Sequence, residues 1–337
     1  MTVARRALPA PRGDLSAAVV EVLTRPPGAT TPVAGDADPY GDDLQLALHT
    51  CYELHYQGFA GVDDGWEWDP GLLGLRAVLE QRFLAALHAE VAGGDDVGGE
   101  LDRLLEPTRD DEGIPGFLAE RGTADQLREY FVHRSIYHHI EADPYAWVIP
   151  RLRGEPKAAL VAVEFDEFGG GRGDRIHAQL FADLLAGAGL DPRYLHYLDI
   201  VPASMLALVD MMSLFGLHRG LRAASIGHFA TAEITSSPAS RRFAELADAL
   251  LPHPACAHFY REHVEADAVH EQVMRRDVIA GLLDAEPAAA TSIVFGIQAT
   301  NLLESRFAEH VLGCWRDGTT SLIEPVAPPL FAEPMTR

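Results

Sequence analysis

The octet HVEADAVH at residues 263 to 270 sets two imidazoles and a carboxylate, His263, Asp267 and His270, at spacings of four and three. On a helix that advances about 100° per residue, the three fall within an arc of roughly 60°. That side also carries Phe259, Ala266, Val273 and Met274, whereas Arg261, Glu265, Gln272 and Arg275 lie opposite. Three titratable groups on a core face are costly to bury unless something pairs or coordinates them. One reading is a hydrogen-bonded polar cluster between helices. The other is a metal site, because this spacing aims three donors of metal-binding type at one point.

Further donors stand elsewhere in the chain. The stretch EFDEFGGGRGDRIHAQLF holds Glu164, Glu167 and His177, with glycines between the acids and the histidine. Glu233 lies in HFATAEITSS among small and apolar residues, and Glu141 closes YHHIE. A zincin motif is absent, since His270 is followed by EQVM, and no cysteine stands near enough for a structural zinc site. Four carboxylates with three histidines are the composition of a di-iron or di-manganese site inside a helical bundle. The Glu-x-x-His pair of ferritin-like proteins is missing.

With these motifs the sequence resembles the haem-oxygenase-like di-iron oxidases and oxygenases over residues 123 to 317. The most specific elements are His-x3-Asp-x2-His at 263 to 270 and Glu-x9-His at 167 to 177. The resemblance implies a haem-oxygenase-type bundle of seven helices holding two Fe(II)/Fe(III) ions. It implies the ligand set Glu141, Glu167, His177, Glu233, His263, Asp267 and His270. Among the members it is closest in spacing to those that oxygenate nitrogen, whose extra carboxylate maps to Glu141. By analogy His177, Asp267 and His270 would hold one iron, Glu141, Glu233 and His263 the other, and Glu167 would bridge. Glu164, His138 and His139 are the near alternatives.

The expected activity is that of an O2-dependent non-haem di-iron oxidoreductase. It would work through a peroxo-diferric intermediate and oxygenate an amine or guanidine nitrogen of a small, amino-acid-like metabolite, as in natural product biosynthesis. An external electron donor and a small-molecule substrate are the partners implied, and related proteins are often homodimers. Arg134, Arg172 and Arg222 stand near the ligand-bearing segments as candidate anchors for a substrate carboxylate. Tyr137, Phe181, Phe229 and Phe259 are candidate core or pocket aromatics. A di-iron oxidase that desaturates or cleaves a fatty acid or amino acid is the alternative enzyme. A haem-binding or metal-free helical scaffold is the non-enzymatic alternative, and acids crowded beside three histidines would repel haem propionates.

The elements that must position these groups read as helices. Apolar residues recur at helical spacing from Leu44 to about Tyr56 and from Gly71 to about Val91, with a short helix over 97–106. Thr123 opens a helix reaching Glu141, and further helices fit 155–167, 173–188, 199–216, 219–235, 238–250, 254–284 and 286–316. No alternating strand pattern intervenes. The fold expected is all-α, a haem-oxygenase-like bundle of about seven core helices with an added N-terminal helical layer. Residues 1–40 read as a flexible arm, 41–122 as the N-terminal helical region, 123–317 as the di-iron domain and 318–337 as a tail. The Pro- and Gly-bearing stretch 107–122 is the expected boundary.

The 337 residues suffice for a full core, with 47% hydrophobic residues. A net charge of −23 disfavours nucleic acid as a partner. Three scattered cysteines fit reduced thiols, and neither a signal peptide nor a membrane-length apolar run is read, so a soluble cytoplasmic protein is expected.

Overall fold

The computed structural model describes residues 5–106 and 113–326, and among them every regular element is helical. Five helices come first: α1 (Asp14–Leu23), α2 (Asp42–Glu53), α3 (Pro70–Glu90), α4 (Val97–Leu104) and α5 (Gly113–Arg121). The bundle proper uses α6 (Ala124–His138), α8 (Gly154–Glu167), α9 (His177–Gly187), α10 (Ala203–Leu217), α11 (Arg222–Leu250), α12 (Pro254–Val273) and α14 (Ala290–Arg316). Short α7 (Asp143–Ala146) and α13 (Ala280–Ala285) link them. This is the all-α bundle read from the hydrophobic spacing. No single helix among the described residues is long and apolar enough to cross a membrane.

The helix bearing the octet packs most extensively against α11 and also against α9 and α8, while α11 packs on α14. α6 begins where the sequence signals it: Thr123 Oγ1 accepts from Gln126 N at 3.2 Å and Gln126 Oε1 accepts from Thr123 N at 3.0 Å. Such a reciprocal cap is worth about 1 kcal/mol. The crossing of α11 and α14 is made by two glycines. A Cβ on Gly227 would collide with the carbonyl of Ile293, and one on Gly296 with that of Ala224. Backbone therefore touches backbone, and the helices come closer than any side chain would allow.

Several boundaries depart from the sequence reading, each for a physical reason. The expected loose arm contains α1, which buries Leu15, Val19, Val22 and Leu23. Its first amides donate to Asp43, from Leu15 at 3.0 Å and Ser16 at 2.7 Å, so the cap comes from another helix. Arg12 ties the approach down through Asp42 at 3.0 Å and the carbonyl of Leu198 at 2.6 Å. The expected boundary 107–122 is instead helical from Gly113 onward, with Ile114, Phe117 and Leu118 buried; residues 107–112 lie outside the described residues. Pro115 sits in the first turn of α5, where no amide is needed.

The stretch 219–250, expected as two helices, runs as one helix from Arg222 to Leu250 with Pro238 inside it. The proline costs one backbone bond, and packing on α12 and α14 holds the helix together. Conversely the long helix expected over 254–284 contains a π segment, Met274–Ile279, which buries Met274, Val278 and Ile279 and packs against α8. The expected tail from 318 is partly docked: Ser321 donates from its amide to Glu129 at 2.7 Å, and Leu322 is buried. The remainder of that tail, from 327, lies outside the described residues.

Candidate metal centre

Four helices and one bend converge on one buried volume. α12 supplies His263, Asp267 and His270, 5%, 2% and 2% exposed, while Arg261 and Glu265 on its other side face solvent. α11 supplies Glu233, and α8 ends on Glu167. His177 opens α9 ten residues later. Gly169, at φ +70°, makes the turn between them, and a Cβ there would lie 2.6 Å from the backbone of Arg175. Only glycine closes this turn without strain. Glu141 stands in the bend that follows α6.

The donor atoms form two groups, each within 4.8 Å of one another: Glu141, His177 and His263 in one, and Glu167, Glu233, Asp267 and His270 in the other. Glu167 joins them. One oxygen lies 2.7 Å from His177 Nδ1 and the other 3.7 Å from His270 Nδ1. All seven expected residues are thus brought together, but not in the expected partition. His177 sits with Glu141 and His263, and Glu233 with Asp267 and His270. The exchange follows from helix neighbours: α9 reaches His263, whose ring centroid is 4.3 Å from that of His177, while Glu233 lies 3.1 Å from His270 Nδ1.

The ring orientations are fixed from outside the cluster. His263 Nδ1 donates to the Phe259 carbonyl at 2.8 Å, since that oxygen can only accept. Nε2 is left to face Glu141 Oε2 at 3.6 Å, and both atoms are buried without a hydrogen bond. His270 shows the reverse: Nδ1 points at the carboxylates, and Nε2 lies 3.3 Å from Asp166, whose side chain is 58% exposed. A carboxylate behind an imidazole sets its tautomer and strengthens it as a donor. Ser236 Oγ donates to Asp267 Oδ2 at 2.5 Å, and His138 Nδ1 holds Glu141 Oε1 at 2.9 Å. Asp166 and Ser236 were not singled out from sequence. Each lies one turn or less from an expected ligand.

The electrostatics are those of a surplus of acids. Burial raises Glu233 well above the usual carboxylate range, and Asp267 and Glu167 add to it. Burial also raises Asp267. His263 is disfavoured as a cation by burial, yet its neighbours Glu141, Asp267 and Glu167 drive it up to about 10. Burial works to raise Glu141 too, but His138 and His263 hold it well below its ordinary value. Without a cation the cluster must take up protons. Divalent ions would replace them, as metal binding to such ligands releases protons. Orphaned donors, a shared carboxylate and oriented imidazoles fit iron, and the residues present suit it.

The near alternatives fall outside both groups. Glu164, one turn before Glu167, is buried with neither oxygen partnered, and burial with the charge of Glu167 lifts it to about 9. His139 is buried beside Tyr194 and Phe181. The three candidate arginine anchors are all engaged. Arg134 makes a two-pronged pair with Glu304 at 2.9 and 2.7 Å, Arg172 pairs with Asp174 at 3.1 Å, and Arg222 pairs with Glu286. Tyr137, Phe181, Phe229 and Phe259 pack in the core, Phe259 between Phe181 and His263.

No curated protein matches the chain. The family model of iron-containing redox enzymes matches residues 128–305, more than half of the chain and the segment that carries all seven converging side chains. With more than half of its length matched, the chain belongs to the iron-containing redox enzymes of the haem-oxygenase-like superfamily.

Proposed function

We propose that the cluster holds two iron ions and that the protein is an O2-dependent, non-haem di-iron oxygenase acting on an amine or guanidine nitrogen of a small metabolite. The observation that carries this is Glu167, set between two donor groups with one oxygen toward a histidine of each. Four carboxylates bring four negative charges, which two divalent ions balance. Oxygen-rich ligation with few imidazoles suits ferrous iron and leaves coordination positions for O2.

The chain's own residues have distinct tasks. Glu141, His177 and His263 would hold one ion, and Glu233, Asp267 and His270 the other, with Glu167 between them. His138 and Phe259 O orient Glu141 and His263, while Asp166 and Ser236 orient His270 and Asp267. Phe181 and Phe259 keep water from the first group. In the proposed reaction one oxygen atom of O2 goes to the substrate nitrogen, and an external donor supplies two electrons that reduce the other to water. The place of Glu141 in the first group supports nitrogen oxygenation, the chemistry with which this extra carboxylate is associated.

Anaerobic Fe(II) titration followed by O2 tests the reading. The expected result is about two irons per chain and, with a panel of amines and guanidines, a product carrying added oxygen on nitrogen. Failure to retain iron overturns it. Release of formate or CO2 from an amino or fatty acid would replace oxygenation by oxidative cleavage.

A further inference from the structure

Asp143, two residues along the chain from Glu141, lines a cavity of about 500 Å³ together with Tyr56, Gln57, Ala146, Trp147 and Pro150, a size suited to a small metabolite. Gln57 and Pro150 are exposed and form its rim, while Tyr56, Asp143 and Trp147 are partly buried. Tyr56 is held by a 3.0 Å hydrogen bond between its hydroxyl and Ser213. Asp143 stands at the start of α7, and its carboxylate makes no hydrogen bond or ion pair among the described residues. None of the lining residues is basic. A smaller cavity of about 240 Å³ nearby includes Arg5, but that cation is paired with Asp64 at 2.6 Å.

An unpaired carboxylate with two aromatic side chains is the arrangement that recognises a cation: the acid supplies charge and acceptors, and the rings supply their negative faces. An anionic head group would meet Asp143 with nothing to offset it. Farther in, Glu164 is 2% exposed with both oxygens unpartnered, and it feels the charges of Glu167 and Asp143.

We infer that the Tyr56, Asp143 and Trp147 cavity is the recognition site for a cationic group of the substrate, an alkylguanidinium or alkylammonium. The inference rests on reading the metal cluster as the reaction centre, and it names what that centre receives. Asp143 accepts hydrogen bonds from the cation, and Trp147 and Tyr56 flank it. The engaged arginines of the bundle leave a substrate carboxylate without a described basic anchor in this cavity, so the cationic end is the one held here.

Calorimetric titration of the anaerobic Fe(II)-loaded protein with n-butylguanidinium, n-butylammonium and hexanoate tests this. At least one cation should bind saturably and hexanoate should not. Asp143→Asn should weaken cation binding about tenfold or more, the worth of a charge-assisted hydrogen bond, and Trp147→Leu several-fold. The inference is overturned if neither cation binds, if hexanoate binds more tightly, or if both variants bind the cations as the parent does. Iron content is measured on the same samples. Loss of iron with cation binding and its Asp143 dependence intact defeats the di-iron reading alone, whereas full iron with unchanged variants defeats the cavity's role alone.

Discussion

Two buried polar layers of this molecule look alike in composition and differ in bookkeeping of charge. Between α2 and α10, His49 Nδ1 meets Asp210 at 2.9 Å, and nearby Tyr194 donates to Glu53 at 2.8 Å. Each acid there meets a donor side chain, Glu53 also accepting from the Gln57 amide at 3.2 Å, and burial raises Asp210 to about 6 and Glu53 to about 7. Along α12, four carboxylates face three histidines, and one carboxylate is shared between two of them. In the first layer every acid has a donor, although Asp210 Oδ2 and His49 Nε2 stay unpartnered; in the second the acids outnumber the histidines. Buried histidine and acid are thus no mark of a metal site by themselves. Convergence with more acids than partners is.

Removing one of the seven proposed ligands should have the largest effect. His263→Ala or Asp267→Ala should cost iron, with at least about a 100-fold loss of oxygen-dependent turnover, while helix content by circular dichroism is kept. Glu265→Ala, on the solvent side of the same helix, should leave iron intact. In the paired layer the result should invert: Asp210→Ala strands His49 in the core and should lower urea-unfolding stability by about 3 kcal/mol, with iron per chain unchanged.

A smaller effect separates histidines whose partners are neutral from both layers. His133 bonds Ser321 Oγ and His228 bonds Thr300 Oγ1, each at 2.8 Å, and burial depresses them to about 3 and about 4. The folded state keeps both neutral, whereas the unfolded chain takes up their protons below about 6.5. Stability from these two is therefore whole above that pH and declines as pH falls toward 4 and 3, by about 2 kcal/mol per histidine at pH 5. Denaturation at pH 7 and pH 5 checks this, and His228→Gln should flatten the difference. Smallest is Asp166→Asn, which keeps the shape behind His270 but loses its charge; it should weaken the binding of one iron about tenfold, read as a second, looser phase in Fe(II) titration.

How much of this was legible in the sequence varies with the kind of interaction. The stripe of α12 was readable because helical period alone puts His263, Asp267 and His270 on one side. Glu141, Glu167, His177 and Glu233 come from four other places in the chain, and spacing within a helix says nothing of their meeting; a resemblance did. The grouping of His177 and Glu233 was misread because it depends on which helix packs where. Asp166 escaped notice since it precedes an expected ligand by one residue, a rotation that normally means solvent. α1 was hidden for a related reason: its flanks are rich in Pro and Gly, and the cap that fixes it is Asp43, far along the chain.

The glycine crossing of α11 and α14 has a bearing on all of this. Glu233 rides on the same helix as Gly227, six residues on, so the contact of Gly227 with Ile293 and of Gly296 with Ala224 works as a gauge block for the cluster. One methyl group added at either glycine would wedge the helices apart, and the displacement would be passed along α11 as a rigid lever to its carboxylate. The distance across the centre is thereby calibrated by two residues that have no side chain with which to touch it.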